Sequence, residues 1–356
     1  MNTTIIIIIA VLCILLLVSM VVVLYAYYKY RLNLYIESIY LQVLDHPPDI
    51  LTHRRWAYHW KGQRELHKYL DQVRKSVEAS KKERIVFVGL CQDHARELIA
   101  FWLPIVEALG SYFHDYRILI LENDSKDDSR KILLNETTRN PKILILCDDE
   151  SPLNTPACRF GVRSIEKKED KENELPNRLH IMAQLRDTYL KRIGRKWSTY
   201  DHMVVIDWDL MGELSIEGFF HGLGLLRSGD VDAVAVNSMY WNKDKKTHCV
   251  FDTFPLLSHK LRCEALLHKK EQMDKEANDY YRAKLSYQLK DPLLVESAFG
   301  GIALYNLKRV LETQSHYFIP EQERRCPIQC EHTTFHRFLR VAIDPWFVFI
   351  LSKNLH

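Results

Sequence analysis

The run His202-Met-Val-Val-Ile206 is apolar and leads straight into Asp207-Trp208-Asp209. Side chains alternate along a strand, so this spacing predicts Asp207 and Asp209 on one face and Trp208 on the other. Two carboxylates at the carboxyl end of a buried strand make a hard oxygen site, where open α/β sheets place their ligands. Mg2+ or Mn2+ suits such a pair, because these ions take few protein carboxylates and keep room for phosphate oxygens. The chemistry indicated is a metal–diphosphate site, of the kind a nucleotide-sugar requires. The plain alternative is an acidic strand exit with no ligand.

Three more blocks carry polar residues where strands end or helices begin. Glu122-Asn123-Asp124-Ser125 closes the apolar run Tyr116–Leu121. Its short side chains could bond a ribose or base, or cap the next helix through Ser125 with Asp128 or Asp124 with Asp127. Cys91-Gln92-Asp93 and Arg96 hold the equivalent place after the preceding strand, placed to meet the nucleotide or its phosphates. Glu296-Ser297-Ala298-Phe299-Gly300-Gly301 precedes another apolar run, and paired glycines permit a tight turn or close approach of a ligand to the backbone. In Cys330-Glu331-His332-Thr-Thr-Phe-His336, the two histidines are four apart and share a helix face. Glu331 is placed to act as a general base or to stabilise a sugar cation, with Glu296 as the alternate, and His332 as a further metal or phosphate ligand.

The elements that must position these residues alternate. Strands are expected at Ile85–Leu90, Tyr116–Leu121, Lys142–Leu146, Met203–Ile206, Ala233–Val236 and Ile302–Tyr305. Helices are expected near Ala95–Leu109, Lys126–Leu134, Asn177–Ile193 and Ile216–Leu226. This predicts an α/β fold, a mostly parallel sheet covered by helices on both faces. The almost wholly charged stretch Glu166–Glu174 reads as a solvated loop, and residues 264–290 as a charged helical insertion.

The chain of 356 residues, 47% apolar and 27% charged, has ordinary globular composition, and a net charge of +3 gives no case for nucleic acid. Its start is different. Ile5 to Tyr28 carries no formal charge, exceeds the ~20 residues that cross a bilayer, and ends in Tyr25, Tyr27 and Tyr28, an interfacial aromatic belt. Without a basic n-region or a small-residue cleavage site it reads as a retained transmembrane helix. The expected organisation is an anchor over residues 1–28, a basic, aromatic membrane-proximal stem over 29–83 broken at His46-Pro47-Pro48, and a catalytic-looking domain over 84–356. Lys29, Arg31, Arg54, Arg55, Lys61 and Arg64 all follow the span, which favours a cytosol-facing domain. Outside the span Cys91, Cys147, Cys158, Cys249, Cys263, Cys326 and Cys330 are odd in number and lean the same way. Cys326 and Cys330 could form a local disulfide or stay free, and no second pair nearby suggests zinc. Sequons stand at Asn2 and Asn135.

In order along roughly Arg84–Leu351, Leu121-Glu-Asn-Asp-Ser125, Val205-Ile-Asp-Trp-Asp209, Ser297-Ala-Phe-Gly-Gly301 and Cys330-Glu-His-Thr-Thr-Phe-His336 resemble the blocks of metal-dependent glycosyltransferases of the GT-A fold. The likeness extends to the fungal capsule-associated mannosyltransferases. The resemblance implies a GT-A fold, an activated donor such as GDP-mannose, Mn2+ or Mg2+ at Asp207 and Asp209, and Gly300-Gly301 near sugar and acceptor. It also implies a glycan, lipid-linked or protein acceptor and, unlike the charge bias, a lumenal Golgi or ER orientation. Glu331-His332 stands where many inverting relatives have Glu-Asp, so either stereochemistry is open, and His332, His336 and His356 all compete for the late metal-ligand place. Two other readings are a membrane-tethered sugar- or nucleotide-binding protein without turnover and a haloacid-dehalogenase-type phosphatase. The second needs Asp-x-Asp on the first strand, whereas three strands precede it here, and Gly229-Asp230-Val231-Asp232 has the wrong spacing for that family's later acidic pair.

Overall fold

In a computed structural model, the described residues are 19–20, 63–147, 151–153, 155, 174–242, 247–252, 254–257, 291–319 and 330–351. The chain divides into two compact units, Met1–Pro47 with Arg54–Leu66, and Pro48–His53 with His67–His356. In the first, Ser19 and Met20 are helical and exposed. The expected membrane span otherwise lies outside the described residues, and among those residues no helix is long and apolar enough to cross a membrane. Residues 264–290 and His356 also lie outside them, as does most of Glu166–Glu174.

The order of elements is α1 (Gln63–Ser80), β1 (Arg84–Cys91), α2 (Ala95–Glu97), a π-helical turn (Leu98–Trp102), α3 (Leu103–Gly110), β2 (Asp115–Glu122), α4 (Ser129–Arg139) and β3 (Ile143–Leu146). There follow α5 (Glu174–Lys196), β4 (His202–Ile206), β5 (Gly212–Leu214), α6 (Ile216–Ser228), β6 (Ala233–Asn242), β7 (Thr247–Val250) and β8 (Leu293–Val295). The last are β9 (Ile302–Asn306), α7 (Leu307–Glu312), α8 (Glu331–Phe335), a 3-10 turn (His336–Phe338) and β10 (Val341–Leu351).

The strands form one sheet in the order β3-β2-β1-β4-β9-β6-β10-β5, with β7 added to β6 and β8 to β10. The expectation of a mostly parallel sheet holds for its first half: β3, β2, β1 and β4 are all parallel. It fails for the second, where β9 runs antiparallel between β4 and β6 while β6 and β10 are parallel. Local pattern does not fix this direction, because a strand buried between two others is an apolar run whichever way it points.

Alternation along the strands builds two layers. Val86, Val88, Leu119, Leu121, Met203 and Val205 face one side and pack with Ala183, Tyr189 and Ile193 of α5. Phe87 faces the other and stacks on Phe219 of α6, which also meets Phe347 of β10. The second unit takes in the part of α1 from His67 onward, ahead of the domain start expected at Arg84. Leu70, Val73 and Val77 of that helix are buried, and Ser76 and Ser80 accept hydrogen bonds from Arg227 on α6. Glu83 just after α1 pairs with Arg227 and with His202 on β4.

Candidate functional site

The chain runs from β1 to β2 and β3 on one side, then returns to place β4 on the other side of β1. The carboxyl ends of β1 and β4 therefore flank a topological switch point, the crevice where open α/β sheets bind ligands. β4 stops at Ile206, so Asp207-Trp208-Asp209 forms a turn rather than a strand continuation. The Asp207 amide donates to the Gly301 carbonyl at 2.9 Å, and the Leu210 amide turns back to the Asp207 carbonyl at 3.3 Å. Trp208 is fully buried against Trp102, whose indole N–H donates to the Leu210 carbonyl at 2.7 Å. Asp207 is half-buried and Asp209 exposed.

One guanidinium ties Asp207 to Glu331. Arg186, almost wholly buried, donates through Nη2 to Asp207 Oδ1 at 2.9 Å and through Nε to Glu331 Oε1 at 3.1 Å. Its Nη1 reaches the Tyr189 hydroxyl at 3.4 Å, and its charge lies 5.3 Å from the centre of the Phe299 ring. Burial alone would lower its pKa, but Tyr189, Asp207 and Glu331 hold it above the usual arginine value. Glu331, at the start of α8, takes a further contact from the Cys330 thiol at 3.4 Å. Cys330 is free, which removes the expected alternative of a disulfide with Cys326.

Gly300 and Gly301 join this turn to β9. Both have positive φ, 67° and 87°, and a Cβ on Gly301 would lie 2.3 Å from a Leu210 methyl. The pair is therefore required by the turn itself. A residue missing from the sequence reading lies against it. Asp252, in the loop after β7, receives a hydrogen bond from the Gly300 backbone and feels the charges of Asp207 and Glu331. Burial and those two charges push its carboxyl up to about 8. Burial likewise pushes Asp207 up to about 6, with Asp209 and Glu331 adding to the rise and Arg186 opposing it.

His332 is 2% exposed, stacks on Phe299 with ring centres 3.9 Å apart, and has no hydrogen-bond partner on either ring nitrogen among the described residues. Its Nε2 stands 3.9 Å from Glu331 Oε1, and burial keeps the ring neutral. His336 is satisfied on both nitrogens, by Ser297 and Tyr305 at 2.9 Å each, and acts in the core. Glu296 is exposed. It continues the alternation of the edge strand β8, which turns Leu294 and Glu296 outward and Ser297 inward, so the structure does not bring it to the Arg186 cluster.

The second strand's block is largely bonded to itself. Arg130 bonds Glu122 at 3.1 Å and also Asp124, and Glu122 accepts from the Ser125 amide. Ser125 Oγ accepts from the Asp93 amide at 2.9 Å. The Asp93 carboxylate takes the amides of Lys126 and Asp127, so α4 starts at Ser129 rather than near Lys126. Asn123 remains half-exposed beside Gln92 at 3.5 Å. Arg96 pairs with Asp128 at the surface. Asp232, from the unrelated acidic pair, is committed to Arg309 and Arg340.

Among the described residues no group of three or more His, Cys, Asp or Glu forms a ready ion cage. No family profile and no curated protein matches the sequence. Solved structures overlap in part. A Pyrobaculum calidifontis mannosyltransferase in complex with GDP-Man and Mn2+ shares 12% identity at a TM-score of 0.43, over 82% of this chain and 68% of that one. S. aureus TarS 1-349 with UDP-GlcNAc shares 10% at 0.40, over 77% of this chain and 59% of that one. GalNAc-T7 with UDP, GalNAc and Mn2+ shares 9% at 0.42, over 76% of this chain and 44% of that one. At these scores the reading of the site rests on this chain's own residues.

Proposed function

We propose that this chain is a membrane-anchored glycosyltransferase that moves a sugar from a nucleotide-sugar donor to a glycan, lipid-linked or protein acceptor. The observation that carries the proposal is a surplus of negative charge at the switch point. Asp207 and Glu331 share the one guanidinium of Arg186, and Asp209 follows Asp207 at the surface. Such a site favours a cation whose own positive charge is shared with an anionic ligand. Mn2+ or Mg2+ would be held by Asp207 and Asp209, its other positions left to water and phosphate oxygens. His332, expected as a further ligand, is not gathered with them into a three-ligand cage among the described residues. The ion would offset the charge that develops on a departing nucleoside diphosphate.

The chain's own residues divide the remaining work. Arg186 fixes Asp207 and Glu331 relative to each other from beneath. Glu331 accepts the acceptor's proton or faces the positive charge that grows on the sugar. Asn123, with Gln92 beside it, offers amides to the nucleoside. Glu122, Asp124 and Ser125 hold that loop in shape, and Gly300-Gly301 lies on the sugar side. The resemblance noted in the sequence makes GDP-mannose the first donor to try, and residues 1–28 supply the anchor.

Titration of the full chain in detergent with nucleoside diphosphates and nucleotide-sugars, with Mn2+ and with chelator, tests this by thermal shift and diphosphate release. One nucleotide should raise the melting temperature only with metal. Asp209→Ala, at an exposed position, should abolish metal-dependent turnover without changing the melting temperature. A folded chain that responds to no nucleotide overturns the proposal; binding without turnover leaves a non-catalytic binding protein.

A further inference from the structure

The carboxylates beside Arg186 are accompanied by buried polar atoms that nothing among the described residues satisfies. Ser238 on β6 is 2% exposed, and its hydroxyl has no partner among the described residues. It points at the glycine turn: a Cβ on Gly300 would stand 3.0 Å from Ser238 Oγ and 2.9 Å from the Val236 carbonyl. The Gly300 amide in turn donates to Asp252. Asp252 is joined to Ser238 by the backbone as well, since the Phe251 amide donates to the Ser238 carbonyl at 3.0 Å. At φ 59° Asp252 occupies the left-handed region, which aspartate tolerates better than most residues, as Asp93 and Asp124 also do here. Three separate segments thus converge on one small polar corner at the Gly300 turn.

Resting on the donor reading above, we infer that Asp252 and Ser238 form a hydroxyl-binding corner that grips the sugar ring of the donor. Ionised or protonated, Asp252 brings no positive charge to a diphosphate, so this corner does not serve it. A metal ion would use the carboxylate but would not need the hydroxyl. A sugar hydroxyl uses both, because it donates one hydrogen bond to Asp252 and accepts one from Ser238. A buried hydroxyl left unpaired is costly, and a sugar hydroxyl would pair it. The pair therefore favours a bound sugar over an empty corner, and it selects for a ring with a free hydroxyl at this point.

The test separates the sugar from the nucleotide. Calorimetric titration of the full chain with Mn2+ compares GDP with GDP-mannose, and UDP with UDP-glucose and UDP-N-acetylglucosamine. In the wild type the sugar nucleotide should bind more tightly than its diphosphate. Asp252→Asn should cut that advantage roughly tenfold while leaving diphosphate affinity within about twofold. Ser238→Ala should cut it less, about threefold, and should not lower the melting temperature, because it removes an unpaired buried hydroxyl. This second variant keeps the test decisive if Asp252→Asn folds poorly. Equal weakening of diphosphate and sugar nucleotide would place the corner at the metal or phosphates and overturn the inference. So would an unchanged advantage in Ser238→Ala, or a wild type in which the sugar adds nothing, with the donor reading left standing in each case. A wild type that binds none of the probes overturns both.

Discussion

At the scale of the residue, the charge imbalance around Arg186 has a consequence in pH. Asp207 and Asp252 titrate at about 6 and about 8 in the folded chain, both above the ordinary 3.8. The folded state therefore holds their protons more tightly than the unfolded state does. Their contribution to stability is present below pH 3.8 and is lost as pH rises through 6 and then 8. A divalent cation at Asp207 competes with the first of those protons, so Mn2+ affinity should climb from pH 5 to 7, with proton release on binding. Calorimetry in buffers of different ionisation enthalpy measures both, and an affinity flat across that range would show that Asp207 does not meet the ion. Asp207, Asp209 and Glu331 were legible because short acidic motifs follow apolar runs or open helices. Arg186 left a signal that motif reading passes over: it interrupts the apolar stripe of Leu179, Ala183, Leu190 and Ile193 on α5, and a cation there has to have buried partners. Asp252 left none, since its contact with Gly300 joins segments far apart in sequence.

At the scale of the element, α1 is the part whose role differs most from its appearance. Its sequence is polar enough to look like part of an exposed stem, yet Leu70, Val73 and Val77 are buried. Arg227 also clamps its end to Glu83, whose carboxyl is lowered to about 2 as hydrogen bonds from His202 and Arg227 outweigh its burial. Each of the three apolar side chains contributes roughly 1.5 kcal/mol or more by burial, so a fragment beginning at Arg84 should be less stable than one beginning at Gln63 by about 5 kcal/mol. Urea unfolding of the two fragments compares them directly; equal midpoints would mean that α1 rests on the domain without supporting it. Glu83 adds a pH signature of the opposite sign to that of Asp207. Its stability is present above pH 4.5 and is lost as pH falls through about 2. Six strands and four helices were legible because their apolar periodicities differ. β5, β7, β8 and β10 were not expected, β6 runs past Val236 to Asn242, and α4 starts late because Asp93 takes the amides ahead of it.

At the scale of the whole molecule, pairing direction was the feature that local pattern did not carry. A buried strand between two others reads as an apolar run whichever way it points, and β9 is such a strand. Compartment is set at this scale too, and the cysteines can decide it. The basic residues after the proposed anchor favour the cytosol, whereas Cys147 is disulfide-bonded, with its partner outside the described residues. Disulfides persist in oxidising compartments and are rare in the cytosol. Cys91, Cys249 and Cys330 are free. Denaturing the protein straight from its native membrane, alkylating without reductant and mapping the labelled peptides should therefore mark those three cysteines and spare Cys147. Reduction before alkylation should add Cys147. Labelling of Cys147 in the unreduced sample would instead place the domain in a reducing compartment, on the side that the charge bias favours, and would take a lumenal acceptor with it.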